Sequence, residues 1–216
     1  MDTVIPRPYA TVAQPLSFAP SIGVRSFLLE REEGNLLIYS SNTIEQEADF
    51  VREKGGIGRQ YMNHGHEADT ADAACRWVAS TFGAPLYAHE NEKEEISRVC
   101  DVGGVFSERH TLADDFEVIP IPGHTSEATA FLWDTGEHRV LFTGDSVKLE
   151  GDECVAVLLD PSAREDYLRS LELIRGLDFD VIAPWATGIE GSYFALTEKD
   201  DIGQRIHRII ERMNSE

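Results

Sequence analysis

The residues in this chain best able to do chemistry lie in Asn63-His64-Gly65-His66-Glu67-Ala68-Asp69. Two imidazoles and a carboxylate at the end of a strand-like run, Arg59-Gln60-Tyr61-Met62, make a metal-site signal. Neutral imidazole nitrogen and carboxylate oxygen are both ligands for a divalent ion such as zinc. On an extended backbone, histidines two apart point to one side, and Gly65 between them adds no bulk, so both rings are expected to converge on one ion. Taken alone, a His-Gly-His triplet is more often a polar loop than a ligand set. Two further stretches turn the reading toward metal: Ile121-Pro122-Gly123-His124-Thr125 and Leu141-Phe142-Thr143-Gly144-Asp145-Ser146. Each sets one ligand-type residue in a turn just after an apolar strand. The remaining histidines read differently. His89 is a polar residue at a strand end, and His110, His138 and His207 sit among charged neighbours and are expected to face solvent.

The elements that must position these residues follow from pattern and punctuation. Pro6, Pro8, Pro15 and Pro20 predict an extended or wrapping arm over residues 1–20. Val24 to Glu30 and Leu36 to Ser40 read as an antiparallel pair joined by a turn at 31–35. Thr43 is expected to cap a helix whose apolar positions Ile44, Ala48 and Val51 share a face, ended by Gly55-Gly56. A helix over about 71–82, a short strand at Pro85-Leu86-Tyr87-Ala88 and the charged segment Glu90 to Arg98 make a crossover pattern. After Gly103-Gly104 the character changes to strand runs at 116–121, 129–134 and 139–142, with a hairpin turn at Asp134-Thr135-Gly136-Glu137. Asp160 and Pro161 open a helix with Leu168, Leu171 and Ile174 on one face. A last strand, Val181-Ile182-Ala183-Pro184, leads to a terminal helix lined by Ile202, Ile206, Ile209 and Met213.

Composition limits what such a site can serve. At 216 residues, with 42% hydrophobic and 27% charged side chains, the chain has the make-up of an ordinary globular protein. A net charge of -20 opposes nucleic acid and anionic membranes as partners, leaving a small-molecule substrate. No apolar run spans a bilayer, and the first residues lack a signal peptide's basic and apolar segments, so a cytoplasmic location is expected. Cys75, Cys100 and Cys154 share no CxxC spacing and read as reduced thiols, Cys75 as core packing. The sequence leaves the oligomeric state open, a homodimer included.

The order HGHEAD, PGHT, FTGD and a closing APWA turn resembles the metallo-β-lactamase fold superfamily from about Val24 to Pro184. The resemblance implies an α+β fold, a four-layer αββα sandwich, here expected as a single domain over residues 1–216 with metals in a groove at one edge of two sheets. In that family the first motif reads H-x-H-x-D-H, the next ligand is the histidine of a PGHT-like turn, and a bridging aspartate ends a TGD-like segment. Carried over, His64, His66 and His124 form a three-histidine site, with Asp145 approaching the same metal. The chain departs from the pattern at Ala68, where the motif aspartate stands, and at Asp69, where a histidine follows. It departs again at Ala183-Pro184-Trp185-Ala186, where the last histidine turn is expected. The second site thus keeps at most Asp145 and Asp69, and one zinc ion is expected rather than two. Asp69 could instead orient a water or a histidine ring. Trp185 reads equally as a pocket wall or a core aromatic.

The resemblance implies a metal-dependent hydrolase of a small ester, thioester, amide or lactone. Zinc lowers the pKa of its water to about 7 and makes hydroxide available at neutral pH. Asp145 would serve as fourth ligand or base. Two alternatives stay open. His64, His124 and Asp145 also match the two-histidine, one-carboxylate iron set of persulfide dioxygenase relatives, which leaves positions for oxygen. Loss of second-site ligands is equally what a catalytically inactive binding module of the same fold would show.

Overall fold

Why the chain divides where it does is visible in its strand order. The computed structural model describes residues 2, 3, 8–71, 73–151 and 153–215, and forms two units, Met1–Ser107 and Glu108–Glu216. In the first, strands β1 (Asp2–Thr3), β2 (Tyr9–Ala10), β3 (Gln14–Leu16), β4 (Ala19–Val24), β5 (Phe27–Leu29) and β6 (Leu36–Ile38) precede helix α1 (Ala48–Glu53) and β7 (Arg59–Tyr61). Helices α2 (His66–Thr70) and α3 (Ala74–Phe82), β8 (Leu86–His89), α4 (Lys93–Ile96) and β9 (Val102–Phe106) complete it. The sheet runs β1-β2-β5-β6-β7-β8-β9, antiparallel through β6 and parallel from β6 to β9. Parallel neighbours need crossovers, and α1, α2 with α3, and α4 lie on those three connections. Leu28 and Leu37 of β5 and β6 pack with Ile44, Val51, Ala74 and Val78, the apolar faces of the crossing helices. The expected antiparallel pair is present, with Leu28 opposite Leu37.

Local chemistry corrects several expectations here. Thr43 caps nothing: its hydroxyl donates to the Val12 carbonyl at 2.7 Å, and residues 42–47 form a 3-10 turn before α1. The helix expected over about 71–82 is α3, which begins only at Ala74; a separate helix, α2, precedes it and ends before Ala71, whose ψ of 51° leaves the helical region. Gly103 and Gly104 do not close a segment but lie inside β9. A Cβ at Gly104 would stand 2.2 Å from the Tyr87 ring of the neighbouring strand, so only glycine fits that approach. Of the expected arm, Gln14–Leu16 pairs antiparallel with β4, while Pro6 lies outside the described residues.

The expected reduced state of the cysteines is also overturned in part. Cys75 on α3 and Cys100 just after α4 form a disulfide with Cα atoms 6.0 Å apart, while Cys154 is free and buried. The pair is 25 residues apart in sequence, and both side chains enter one apolar cluster with Met62, Leu86 and Ile96. Spacing along the chain cannot show a meeting made by tertiary packing. With the pair joined, the cysteine count no longer argues for a reducing compartment.

The second unit holds β10 (His110–Leu112), β11 (Phe116–Pro120), β12 (Thr129–Asp134), β13 (Arg139–Gly144), β14 (Lys148–Glu150) and β15 (Glu153–Val155). Then come α5 (Arg164–Gly176), β16 (Val181–Pro184), β17 (Ala186–Gly188), β18 (Ala195–Leu196) and α6 (Lys199–Ser215). Its sheet runs β10-β11-β12-β13-β16-β18, with β13 and β16 parallel across the α5 crossover. The strands expected at 116–121, 129–134, 139–142 and 181–184, the turn at 134–137 and the terminal helix are found within two residues of those bounds, while β10, β14, β15, β17 and β18 are additional. Leu171 and Ile174 of α5 and Ile202, Ile206, Ile209 and Met213 of α6 share one core with Ile119, Leu141 and Ile182. Asp160 accepts from the Ser162 amide at 2.8 Å, opening a 3-10 turn at Pro161 that runs into α5. No helix among the described residues is long and apolar enough to cross a membrane.

Candidate functional site

Candidate residues fall in both units, and each unit positions its own by different means. In the first, β7 ends at Tyr61 and the chain curls at once instead of continuing extended. Gly65 has helical angles, φ -62° and ψ -26°, and α2 opens at His66. The expectation that an extended backbone sends both rings one way is therefore wrong. The Glu67 amide donates to the His64 carbonyl at 3.2 Å and the Ala68 amide to Gly65 at 2.9 Å, which winds the segment into a turn. The two rings still meet, with centroids 4.8 Å apart and planes at 75°, edge against face. His64 is fully buried, whereas His66 is exposed. Asp69 is exposed on α2.

Two carboxylates that sequence reading passed over hold this turn. Glu67 is buried to 0% exposure and accepts the Asn63 amide at 2.6 Å and the Ser40 amide at 2.7 Å, with its Oε1 3.9 Å from His64 Nδ1. Glu92 accepts the Gly65 amide at 2.7 Å. His89, read from sequence as a plain strand-end residue, caps the 3-10 turn that carries Glu92, accepting from the Asn91 amide at 3.3 Å. Glu67 is the second residue of α2 and reaches back to the Asn63 amide, without the Ser/Thr-x-x-Glu spacing that would have marked such a cap in the sequence.

Ala68 stands where the resemblance places an aspartate. Its side chain is buried in the apolar cluster of Met62, Cys75, Leu86, Ala88 and Ile96. A carboxylate there would lose its water without a partner. Trp185 and Ala186 are buried as well, at 3% and 2% exposure.

The second unit sets His124 in a turn after β11. Gly123 has φ 152°, and a Cβ on it would lie 2.3 Å from the Tyr167 ring, so the turn passes directly over a buried aromatic of α5. His124 Nδ1 stands 3.0 Å from the Val157 carbonyl. A carbonyl only accepts, so Nδ1 carries the proton and neutral His124 presents the lone pair of Nε2. That nitrogen lies 3.9 Å from Asp145 Oδ2, at the end of β13. The other oxygen of Asp145 faces Lys148, 3.6 Å from its ammonium, a residue the sequence reading did not single out. Beside this pair, Thr125 Oγ1 and Ser146 Oγ are buried with no hydrogen-bond partner among the described residues. A tautomer-fixed imidazole, a carboxylate and spare hydroxyls together fit a polar or cationic occupant.

Comparison with known proteins gives the family and the fold. The pattern of the metallo-beta-lactamase superfamily matches residues 74–186, which include His124 and Asp145 and begin after His66. The uncharacterized protein YmaE of Bacillus subtilis (strain 168) is 26% identical over 136 residues, 61% of this chain and 48% of that protein, so the match spans about half of the relative's length. Among solved structures, the metallo-beta-lactamase GOB-18 from Elizabethkingia meningoseptica matches with a TM-score of 0.63 at 13% identity, covering 97% of this chain and 91% of that one. A HARLDQ-motif metallo-beta-lactamase from Cronobacter sakazakii matches with a TM-score of 0.68 at 16% identity, covering 97% and 96%. At these identities the likeness is one of fold.

Proposed function

The chain belongs to the metallo-β-lactamase superfamily, and from that premise we propose that it is a metal-dependent hydrolase of a small ester, thioester, amide or lactone. In this reading His64, His66 and His124, a group of imidazoles that could hold a metal ion, share one zinc, and Asp145 acts as fourth ligand or base. When bound, such an ion lowers the pKa of a water to about 7 and supplies the nucleophile for hydrolysis. The residues do the rest. The Val157 carbonyl fixes His124 with its Nε2 lone pair outward. Asp145 is placed to orient or accept a proton at Oδ2, while its Oδ1 is engaged by the Lys148 cation. Asp69, exposed beside His66, is left to steer water or substrate.

The observation that carries the reading is the tautomer of His124 beside Asp145, because a proton held on Nδ1 by a carbonyl leaves Nε2 as the nitrogen able to ligate a metal. One metal is favoured over two, since buried Ala68 and Ala186 stand where further ligands are expected. Net charge of -20 supports a small substrate over nucleic acid.

One observation favours a second reading, iron-dependent oxygenation as in persulfide dioxygenase relatives. His64, His124 and Asp145 are 0%, 5% and 8% exposed, whereas His66 is exposed, which suits a two-histidine, one-carboxylate set without His66. Bound metal and turnover on a thioester, lactone and persulfide panel separate the two. A zinc hydrolase loses metal and activity in His66→Ala. An iron oxygenase keeps its metal in that variant and fails in Asp145→Ala. A protein that binds zinc and turns over nothing on the panel is a binding module.

A further inference from the structure

The His64 turn is held from inside the first unit by carboxylates on backbone amides, an arrangement with no need of charge for packing. Glu67 is fully buried, yet its two oxygens take two different amides: Oε1 that of Asn63, the residue before His64, and Oε2 that of Ser40, just past β6. Glu92 reaches the same turn from the far side, taking the amide of Gly65, the residue after His64. The amides on either side of the buried histidine are thus each tied to a carboxylate, and the two carboxylates come from separate segments. Glu67 Oε1 also lies 3.9 Å from His64 Nδ1, adding negative potential beside the ring.

We propose that Glu67 and Glu92 are positioning residues that clamp the His64 turn and fix the ring's orientation. This rests on the reading of His64 as a metal ligand. The physical reasoning is that a carboxylate accepting backbone amides makes shorter, stronger hydrogen bonds than a neutral acceptor, and that such outer groups set the affinity of the ligands they orient. At position 67 both oxygens are used, so a glutamine leaves one buried amide facing its NH2 group. At position 92 the Gly65 amide is bound at Oε1, an acceptor that a glutamine can supply in weaker form and an alanine cannot.

The test uses the full chain, stripped of metal and then titrated with Zn2+ alone in competition with a chromophoric chelator. In parallel, 15N-labelled metal-free protein reports the Gly65 amide and the ring nitrogens of His64. Glu92→Ala should move the Gly65 amide upfield and speed its exchange at least about tenfold, shift the His64 ring signals, and weaken zinc binding about 10- to 100-fold. Glu92→Gln should fall between the wild type and Glu92→Ala in all three, because it keeps an acceptor for the Gly65 amide but not the charge. Glu67→Gln should weaken zinc binding by the same order and shift the Asn63 or Ser40 amide. A folded Glu92→Ala that keeps the Gly65 and His64 spectra and zinc affinity of the wild type, losing only thermal stability, overturns the clamp; so does a Glu92→Gln that behaves as the alanine. Should Glu67→Gln fail to fold, the Glu92 pair decides alone. If the wild type takes up no zinc, the metal reading falls, and the metal-free Gly65 and His64 spectra still decide whether the clamp exists.

Discussion

The two units hold their histidines in opposite ways. In the first, the backbone of the His64 turn donates to side chains, Glu67 and Glu92, and a disulfide between Cys75 and Cys100 ties the two segments that follow. In the second, the His124 side chain donates to the backbone at Val157, and the turn is shaped by a glycine that leaves room for Tyr167. A turn held by side-chain acceptors tolerates an added methyl but not the loss of an acceptor. A turn shaped by steric contact with a buried ring shows the reverse dependence.

The largest expected effect lies in the first unit's cross-link. Replacing Cys75 and Cys100 by alanine should cost about 3 to 4 kcal/mol for a loop of this size, read as a lowered urea midpoint. Thiol counting in denaturant without reductant should find Cys154 alone; three reactive thiols would show the pair reduced and remove the contrast.

Glycine substitutions sharpen the comparison. Gly123→Ala drives a Cβ to 2.3 Å from the Tyr167 ring at a positive φ, and should cost about 2 to 3 kcal/mol from overpacking and backbone strain. Gly65→Ala, at helical angles with its Cβ 3.2 Å from Glu92 Oε1, meets a side-chain end that needs to shift only a few tenths of an ångström, and should cost about 1 kcal/mol. Equal losses in the two variants would mean that both turns are shaped by the same forces.

The smallest effect concerns Cys154. Burial pushes its thiol up to about 11 from an ordinary value of 9.0. Because the folded pKa is raised, stability is full below pH 9 and falls as pH rises from about 9 toward 11. At pH 8 the native thiol should resist alkylation and react only on unfolding; rapid labelling of folded protein would place it at the surface.

How much of this was legible in the sequence differs between the units for a physical reason. In the second, each functional word is a strand ending in a glycine turn, PGHT and TGD, so alternation and punctuation locate both the element and its ligand. Gly123 and Gly144 have positive φ, the conformation that makes glycine informative. In the first, the motif types were readable but their geometry was not, because the helical turn at Gly65 is set by tertiary acceptors. Glu92 sits in the charged run from Glu90 to Arg98, where a single glutamate facing inward cannot be told from its exposed neighbours. The Cys75–Cys100 meeting and the burial of Ala68 depend on the packing of α3 and α4, which no local pattern records.

The central proposal is that His64, His66 and His124, a group that could hold a metal ion, bind one. Elemental analysis of protein purified without added metal, for the wild type, His64→Ala and His124→Ala, tests it most directly. The account predicts about one equivalent of a transition metal, zinc foremost, in the wild type and a loss of at least tenfold in affinity in each variant. Full retention of metal in either variant, or a wild type with none, would contradict it.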